Sequence, residues 1–273
     1  MLLKFYKPKN EILQKYIEGY YFLIKKEEEP TVEYLTFPNN YSIISVYENT
    51  EVTYHENTAI INEKKGNPFE SDLICHYKKP IKVICKGNLN EITFYFKPLG
   101  LNAFLEQPLC QYTSTFFSKF IPFDDYDKVM TSLLREPVFE KRREQLEDYW
   151  LSKLIGFKHS YLQKILIDIE NYYSVSELAE KHKISRQNIT KHFEANLCKT
   201  PSEYKKIHRF RKALKTHIKK NDTDNLTSLS YDLLFYDQSH LIKDFKSLTG
   251  LTPKKFFNSL STQENGEINW LFV

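Results

Sequence analysis

At 273 residues the chain is long enough for two domains with separate cores, and its 41% hydrophobic and 27% charged residues are typical of a globular protein. No apolar run approaches the roughly 18–20 residues that a membrane span requires, and the N-terminus lacks the apolar core of a secretory signal, so we expect a cytoplasmic protein. The four cysteines, Cys75, Cys85, Cys110 and Cys198, show no CxxC spacing and have no companion histidines. We therefore expect reduced thiols, with no metal and no cofactor.

The positive charge is concentrated toward the C-terminal end of the chain. Residues 160–260 hold 18 Lys and Arg against 11 Asp and Glu, a net charge of +7, whereas the rest of the chain has a net charge of −3. A basic domain joined to a slightly acidic one suggests that only the C-terminal part faces a polyanion. A solvated lysine-rich surface would give the same count, so the charge distribution alone does not establish that the C-terminal part binds a polyanion.

Residues 1–124 are predicted to form a small antiparallel β sandwich or barrel of the cupin-like kind. Short runs of β-branched and aromatic residues, each bounded by Asn, Pro, Gly or charged residues, indicate its strands. These runs are Tyr20–Lys25, Tyr41–Tyr47, Thr58–Asn62, Ile81–Cys85 and Glu91–Phe96. After the last run, Pro98–Glu106 is predicted to form a turn that opens a short helix.

An apolar ligand pocket is one interpretation of the aromatic residues in this domain. Its candidate lining residues are Tyr21, Tyr41, Tyr47, Phe94 and Phe96. Plain core packing of these aromatic side chains is the alternative, and the sequence leaves both open. Catalysis and metal binding are not expected, because the first 150 residues hold only two well-separated histidines, His55 and His76.

The linker that follows, residues 125–157, is predicted to be helical. Phe139, Leu146, Trp150 and Leu154 recur at spacings of seven, four and four residues, which places an apolar stripe on one face of a helix. By default this stripe packs on its own domain. Packing against the same helix of a second copy would instead make a two-fold homodimer.

A helix-turn-helix motif is predicted for Ser174–Phe193. Ser174 and Glu177 have the spacing of a capping box that starts the first helix, and Ser185 is placed to cap the second. The second helix would present its outer, N-terminal side chains to base edges in the major groove. These candidate base-reading residues are Arg186, Gln187, Thr190 and Lys191.

A second capping box, Thr200-Pro201-Ser202-Glu203, is predicted to start a long helix that ends near Lys219. Basic side chains along this helix would contact DNA phosphates, which position a protein without reading sequence. The candidates are Lys205, Lys206, Arg209, Arg211 and Lys212. A stiff helix here would hold two reading units about one DNA turn (~34 Å) apart, so that both enter successive major grooves.

The second unit, Asn225–Phe245, repeats the first at a spacing of 52 residues in its second helix and 51 in its first, which implies one extra residue in its turn. Asp237 corresponds to Ser185 and Phe245 to Phe193, and such a repeat is hard to produce by chance. Asp237 is therefore predicted to cap a second recognition helix. The outward-facing residues of that helix are Gln238, Ser239, His240 and Lys243.

These motifs resemble those of the AraC/XylS family of bacterial transcription regulators. The stretch YDQSHLIKDFKSLTGLTPKKF, Tyr236–Phe256, is similar to the C-terminal signature of the family, and Ser174–Phe193 with Thr200–Leu214 is similar to the preceding half. The resemblance implies a seven-helix domain that binds promoter DNA through two recognition helices. The positions that match the family's base-reading residues are Gln187, Thr190, Lys191, Gln238, Ser239 and Lys243.

The N-terminal segment resembles, more loosely, the effector or dimerisation domains of such regulators. The residues that carry this likeness are Lys15–Leu23, Phe37–Ile44 and Phe96–Leu105. The resemblance implies a homodimer and a small-molecule effector, with RNA polymerase as a further candidate partner.

Three positions depart from the family's pattern. Lys183 and Leu234 stand where turn glycines are usual, and Cys198 stands where the second unit has Gly250. A non-glycine residue at a positive φ costs about 1 kcal/mol, so we expect an altered or strained turn geometry at these positions.

The sequence therefore predicts an α+β protein in which a β-rich effector or dimerisation domain (1–124) and linker helices (125–157) precede an all-α DNA-binding domain (158–260) and a tail (261–273). The all-α domain holds two helix-turn-helix motifs joined by a long helix. The predicted function is sequence-specific regulation of transcription, without enzymatic activity. A small-molecule-binding β-barrel protein or enzyme with an inactive helical appendage is one alternative, and a helical interaction protein without a DNA role is another.

Overall fold

A computed structural model describes residues 1–67, 69–113, 115, 117–156, 160–171, 173–219, 238–259 and 271–272. The predicted first helix of the second helix-turn-helix, the turn with Leu234 and the cap Asp237 lie outside the described residues, as does most of the tail. Among the helices that are described, none is long and apolar enough to cross a membrane.

The described strands all belong to two sheets. They are β1 Leu2–Tyr6, β2 Ile17–Lys25, β3 Val32–Thr36, β4 Ser42–Glu48, β5 Thr50–His55, β6 Thr58–Glu63, β7 Glu70–Ile74, β8 Ile81–Lys86, β9 Leu89–Phe96, β10 Phe117–Lys119 and β11 Leu271–Phe272. The five predicted strands are confirmed as β2, β4, β6, β8 and β9. Strands β1, β3, β5, β7, β10 and β11 were not predicted.

The two sheets pack face to face as a sandwich. One sheet has the strand order β1-β2-β9-β4-β7-β10 and the other has β11-β3-β8-β6-β5. Neighbouring strands are antiparallel except for β6 and β8, which run parallel. The predicted α+β class, with a β domain followed by helices, is therefore confirmed.

Alternate side chains of β2 enter two different cores. Tyr21 and Leu23 lie between the two sheets, whereas Tyr20 and Phe22 lie on the opposite face of their sheet, which the helices cover. This division follows from strand geometry, because successive residues of a strand point to opposite faces. The β domain is thus a three-layer structure, with a sheet shared by an inner core and a helix-covered core.

The helices follow the β domain in the chain. They are α1 Tyr126–Arg135, α2 Phe139–Ser152, α3 Ser160–Glu170, α4 Val175–Lys181, α5 Arg186–Leu197, α6 Pro201–Lys219, α7 Gln238–Thr249 and α8 Pro253–Ser259. Short 3-10 turns occur at Leu13–Lys15, Leu101–Ala103 and Leu109–Gln111. The second of these turns lies within the segment for which a turn and short helix were predicted.

Helix α2 packs its apolar stripe on the β domain. Trp150 and Leu146 are fully buried, and the Trp150 ring lies 4.9 Å from the ring of Phe96 and 5.5 Å from that of Phe94. The default interpretation of the stripe is therefore confirmed. Because this face is covered within one chain, it is not open to the same helix of a second copy.

Candidate DNA-binding surface and effector cavity

The first helix-turn-helix consists of α4 and α5, and both of its predicted caps are present. The N–H of Glu177 donates to Ser174 Oγ at 3.2 Å, and the N–H of Ser174 donates to Glu177 Oε2 at 2.7 Å. At the start of α5 the N–H of Asn188 donates to Ser185 Oγ at 3.1 Å. These bonds satisfy backbone donors that a helix start leaves unpaired, so each helix begins where the sequence predicts.

The orientation of α5 is fixed by its buried side. Ile189 and Phe193 are fully buried and pack with Leu178 of α4. Lys183, in the turn, has a φ of +52°, which confirms that a non-glycine residue occupies the left-handed position expected there. The face of α5 opposite to Ile189 is therefore turned outward.

Four predicted base-reading residues lie together on this outward face. Arg186, Gln187 and Lys191 are exposed, and Thr190 is partly exposed and donates to the backbone oxygen of Arg186 at 3.1 Å. They occupy the first two turns of α5, where side chains of a recognition helix reach base edges. We call these four residues the α5 face.

The second unit is described from the start of α7. The side chains of Gln238, Ser239 and His240 lie outside the described residues, whereas Lys243 is exposed. Phe245 is fully buried on the inner side, as its match to Phe193 predicts. The helix ends at Gly250, whose φ of +76° is the left-handed conformation that favours glycine.

Helix α6 joins the two units. The predicted capping box is confirmed, because the N–H of Thr200 donates to Glu203 Oε2 at 3.0 Å and the N–H of Glu203 donates to Thr200 Oγ1 at 3.2 Å. The helix has 19 residues, which corresponds to a length of about 28 Å.

Two of the predicted phosphate-contacting residues hold α6 against α7. Arg209 donates to Asp244 Oδ2 at 2.8 Å. Lys206 donates to Ser247 Oγ at 2.6 Å, and its Nζ lies 3.8 Å from Asp244 Oδ1. Since Asp244 is buried, its charge needs these cationic partners.

Lys205 and Lys212 have different surroundings. Lys205 is half-buried and donates to the backbone oxygen of Tyr173 at 3.0 Å, and burial lowers its pKa from the ordinary value. Lys212 is exposed. Of the five candidates, Lys212 is therefore the one most directly presented to solvent.

The structure corrects the prediction for Arg211. Its Nε donates to the backbone oxygen of Pro38 at 2.8 Å, and its guanidinium also donates to the backbone oxygen of Phe37. Burial lowers the pKa of this guanidinium from its ordinary value. Arg211 therefore binds the β domain instead of facing a phosphate, because it lies on the side of α6 that meets the loop between β3 and β4.

The same loop contributes to the core of the second unit. Phe37 is fully buried, and its ring meets that of Phe256 edge-on at 4.9 Å. It belongs to one cluster with Phe210 of α6 and Phe245 of α7. A residue of the β domain thus completes the hydrophobic core beneath the second recognition helix.

The first unit also rests on the β domain. Leu99, which follows β9, is buried in the same cluster as Phe193 and Leu197 of α5. Asn102 Nδ2 donates to Asn196 Oδ1 at 3.4 Å, and both amides are buried. The rear sides of both units are therefore in contact with the β domain, while the α5 face points away from it.

A small cavity of about 70 Å³ lies between the two sheets. Its walls are mostly aromatic and aliphatic, with a few hydroxyl groups and one carboxyl group. The tyrosines and polar residues that line it are Tyr21, Tyr34, Thr36, Ser45, Tyr47, Tyr54, Tyr77, Glu91, Thr93 and Tyr95. A pocket therefore exists in the predicted domain, with a lining that differs from the predicted one.

Two of the five predicted pocket residues, Tyr21 and Tyr47, line the cavity. Tyr41 does not border it, and its ring instead meets that of Tyr95 edge-on at 5.9 Å. The prediction is wrong for Phe94 and Phe96, which lie in the helix-covered core on the other face of β9. Residues of β9 with odd numbers face the cavity, so the two even-numbered phenylalanines point away from it.

Glu91 is the charged group of the cavity, and sequence reasoning missed it. Tyr21 Oη donates to Glu91 Oε1 at 2.8 Å, and Thr93 Oγ1 donates to the same oxygen at 2.5 Å. Ser45 Oγ lies 2.6 Å from Thr93 Oγ1 and extends this network. Burial raises the pKa of Glu91 above its ordinary value, while the hydroxyl donors act in the opposite direction.

Tyr77 connects the wall of the cavity to the loop that binds Arg211. Its hydroxyl donates to the backbone oxygen of Phe37 at 2.6 Å and accepts from Asn39 Nδ2 at 3.1 Å. The same carbonyl oxygen of Phe37 accepts from Arg211. A continuous set of direct contacts therefore runs from the cavity to α6.

Comparison with known proteins agrees with the helical part of this description. Residues 178–259 match the family described as a helix-turn-helix domain. The fold is similar to that of ToxT from Vibrio cholerae, at 11% identity and a TM-score of 0.43 over 87% of this chain and 98% of that one. It is also similar to unsaturated fatty acid bound ToxT from the same organism, at 11% identity and a TM-score of 0.45 over 86% and 94% of the two chains. No curated protein sequence matches the chain.

The capped α4–α5 unit, the joining helix α6 and the family match together identify a helix-turn-helix domain at residues 178–259.

Proposed function

We propose that this chain is a DNA-binding transcription regulator of the AraC family, without enzymatic activity. It would read specific promoter sequences by inserting α5 and α7 into successive major grooves. The α5 face carries the proposal, because four polar or basic side chains converge on the exposed side of a capped helix whose other side is buried. Arg, Gln and Lys at such positions can donate to guanine and adenine acceptors in the major groove. Gln187 and Lys191 are the residues that we assign to base reading first.

In the same proposal α7 is the second reader, through Gln238, Ser239, His240 and Lys243. Helix α6, of 19 residues, joins the two readers, and we expect them to enter grooves about one DNA turn (~34 Å) apart. Lys212 is the exposed member of the set and would make the largest phosphate contribution. Lys205, Lys206 and Arg209 are less exposed and donate to protein acceptors, so we expect a smaller contribution from each.

We further propose that a small molecule in the β domain regulates DNA binding. The cavity of about 70 Å³ is smaller than the roughly 300–1,000 Å³ of ordinary ligand sites, so a ligand must push its walls apart. Its chemistry suits a mostly apolar molecule with one group that donates to Glu91. Movement of Tyr77 would be transmitted to Phe37 and Arg211, which lie under the second unit.

The remaining parts of the proposal concern assembly and organisation. The regulator would act in the cytoplasm as a homodimer and would contact RNA polymerase at the promoter. Because the apolar stripe of α2 is buried, a second copy must use another surface. Residues 1–124 would sense the effector and residues 158–260 would bind DNA, with 125–157 as the linker and 261–273 as the tail.

Selection from a random DNA pool tests the proposal. The full-length protein is incubated with random duplexes and excess non-specific competitor, and the bound fragments are sequenced over several rounds. We expect enrichment of two short elements with centres about 10–11 base pairs apart. Absence of any enriched sequence would contradict sequence-specific binding, and one enriched element alone would contradict the role of α7.

A further inference from the structure

Cys75, the adjacent His76 and the distant Cys198 meet where the β domain contacts α5, which corrects the expectation that the cysteines have no companion histidine. The ligand-type atoms of Cys75, His76 and Cys198 all lie within 4.8 Å of one another. Cys75 Sγ is 3.5 Å from His76 Nδ1. Cys75 and His76 follow the last residue of β7, whereas Cys198 caps the C-terminal end of α5.

Two local features bring the three groups together. Cys75 and His76 lie just beyond the end of β7 and point their sulfur and nitrogen toward each other. Cys198 has a φ of +53° and a ψ of 30°, at the position that matches Gly250 of the second unit. A glycine would relieve about 1 kcal/mol of strain there, so the cysteine is held at a cost.

The spacing of the three atoms suits a soft metal ion. Tetrahedral zinc has bonds of about 2.3 Å to sulfur and about 2.0–2.1 Å to nitrogen, which places neighbouring ligand atoms about 3.5–3.8 Å apart. The distance between Cys75 Sγ and His76 Nδ1 already has this value, and the remaining pairs need to close by no more than about 1 Å. Thiolate and imidazole ligands select zinc and monovalent copper over the hard cations.

We propose that Cys75, His76 and Cys198 form a binding site for a thiophilic metal ion, Cu⁺ or Zn²⁺, which ties the first recognition helix to the β domain. Two of the three ligands belong to the β domain and the third belongs to α5, so a bound ion bridges the two parts. The ion would hold the end of α5 at a fixed position relative to the sandwich and so set the orientation of the α5 face.

The charge around the site decides which of the two ions fits better. Lys199 is buried beside the cluster, and its ammonium donates to the backbone oxygen of Cys75. Two thiolates with a monovalent ion carry one negative charge, which the Lys199 ammonium balances. Two thiolates with a divalent ion are already neutral and leave the ammonium uncompensated. A buried site favours the balanced combination, so we expect Cu⁺ to bind more tightly than Zn²⁺.

Metal titration of the reduced full-length protein tests the site. The protein is titrated anaerobically with Cu⁺, and separately with Zn²⁺, in competition with a coloured chelator of known affinity. We expect one ion per chain in the wild type and at least about tenfold weaker binding in Cys198→Gly and in His76→Ala. Cys198→Gly suits the left-handed position and should fold at least as well as the wild type, while Cys110→Ser removes an exposed thiol outside the cluster and should bind as the wild type does.

Two outcomes would overturn the proposal. The first is equal retention of both ions by the wild type, Cys198→Gly and His76→Ala, which would place any bound metal elsewhere. The second is a disulfide between Cys75 and Cys198 in air, detected by mass spectrometry, in a protein that binds neither ion when reduced. His76→Ala separates the two chemistries, because it removes a metal ligand and leaves both thiols in place.

Discussion

The Nε atom of Arg211 donates to the backbone oxygen of Pro38 at 2.8 Å, and this bond joins the helix between the two DNA-reading units to the β domain. The neighbouring carbonyl of Phe37 accepts from the same guanidinium and from the hydroxyl of Tyr77, which lines the cavity. The helix between the two proposed DNA-reading units and the domain that would sense a ligand are therefore linked through side chains in direct contact.

Arg211 and Lys212 are adjacent in sequence, but their substitution should affect different properties, stability for Arg211 and DNA binding for Lys212. Arg211→Ala removes the donor to the Pro38 oxygen and one of the two donors to the Phe37 oxygen, and it should lower the free energy of unfolding by about 1–3 kcal/mol. Lys212→Ala should leave stability within about 0.5 kcal/mol of the wild type and reduce the dependence of log K on log salt by about one unit. Urea denaturation and DNA binding at several salt concentrations measure both quantities. A reduced salt slope for Arg211→Ala, with unchanged stability, would restore Arg211 as a phosphate contact.

Phe37 should contribute to the stability of the helical domain although it belongs to the β domain. Phe37→Ala removes a fully buried ring that meets Phe256 and should cost about 3–5 kcal/mol, whereas Phe37→Leu should cost less than about 1.5 kcal/mol. Hydrogen exchange locates the effect, with faster exchange expected in α6 and α8. Loss of protection confined to the β sheets would show that the ring does not support the second unit.

The hydroxyl of Tyr77 should couple the cavity to DNA binding. Tyr77→Phe keeps the ring and removes the bond to the Phe37 oxygen, so we expect a severalfold change in affinity for the selected DNA site. Tyr54→Phe, on β5 in the wall of the same cavity, is the matched control and should leave the affinity unchanged. Equal affinities for the wild type and both variants would contradict the coupling.

Glu91 should make the protein less stable as the pH rises. Its pKa is raised in the folded state, so between the unfolded value near 4.5 and the folded value the native state holds a proton that the unfolded chain has lost. Stability therefore falls with rising pH across that window and is constant above it. Glu91→Gln cannot titrate, and its free energy of unfolding relative to the wild type should increase from pH 4.5 to pH 8.

The quantity to measure is the difference in free energy of unfolding between the wild type and Glu91→Gln. Burial also raises the pKa of Asp72, to about 8, and Asp72 contributes in the same direction in both proteins. A constant difference across the range would show that Glu91 is not the group responsible.

Local sequence signals predicted the helices well. The capping boxes at Ser174 and Thr200 depend on side chains three residues apart, and the structure contains the bonds that this spacing implies. The strands that were missed carry charged or polar residues among the apolar ones, as in β5, TEVTYH, and β7, ESDLI. Their formation depends on pairing with distant strands, which a local pattern does not reveal.

The site was predictable only in part, for a similar reason. The α5 face follows from one helix and its cap, so its residues could be placed from the sequence alone. The roles of Arg211, Glu91 and Cys198 depend on what the β domain presents to them. These are contacts between segments more than 100 residues apart for Arg211 and Cys198, and no spacing rule within the chain encodes them.

Base reading by α5 is tested most directly by the affinities of the wild type and Gln187→Ala for every single-base variant of the selected DNA site. We predict that Gln187→Ala loses about 1–3 kcal/mol on the preferred sequence and no longer discriminates at one or two adjacent positions, with the other positions unchanged. Lys191→Ala should act in the same way at a neighbouring position. A uniform loss of affinity across all variants, with the pattern of discrimination intact, would contradict the assignment of the α5 face as the reader of the DNA sequence.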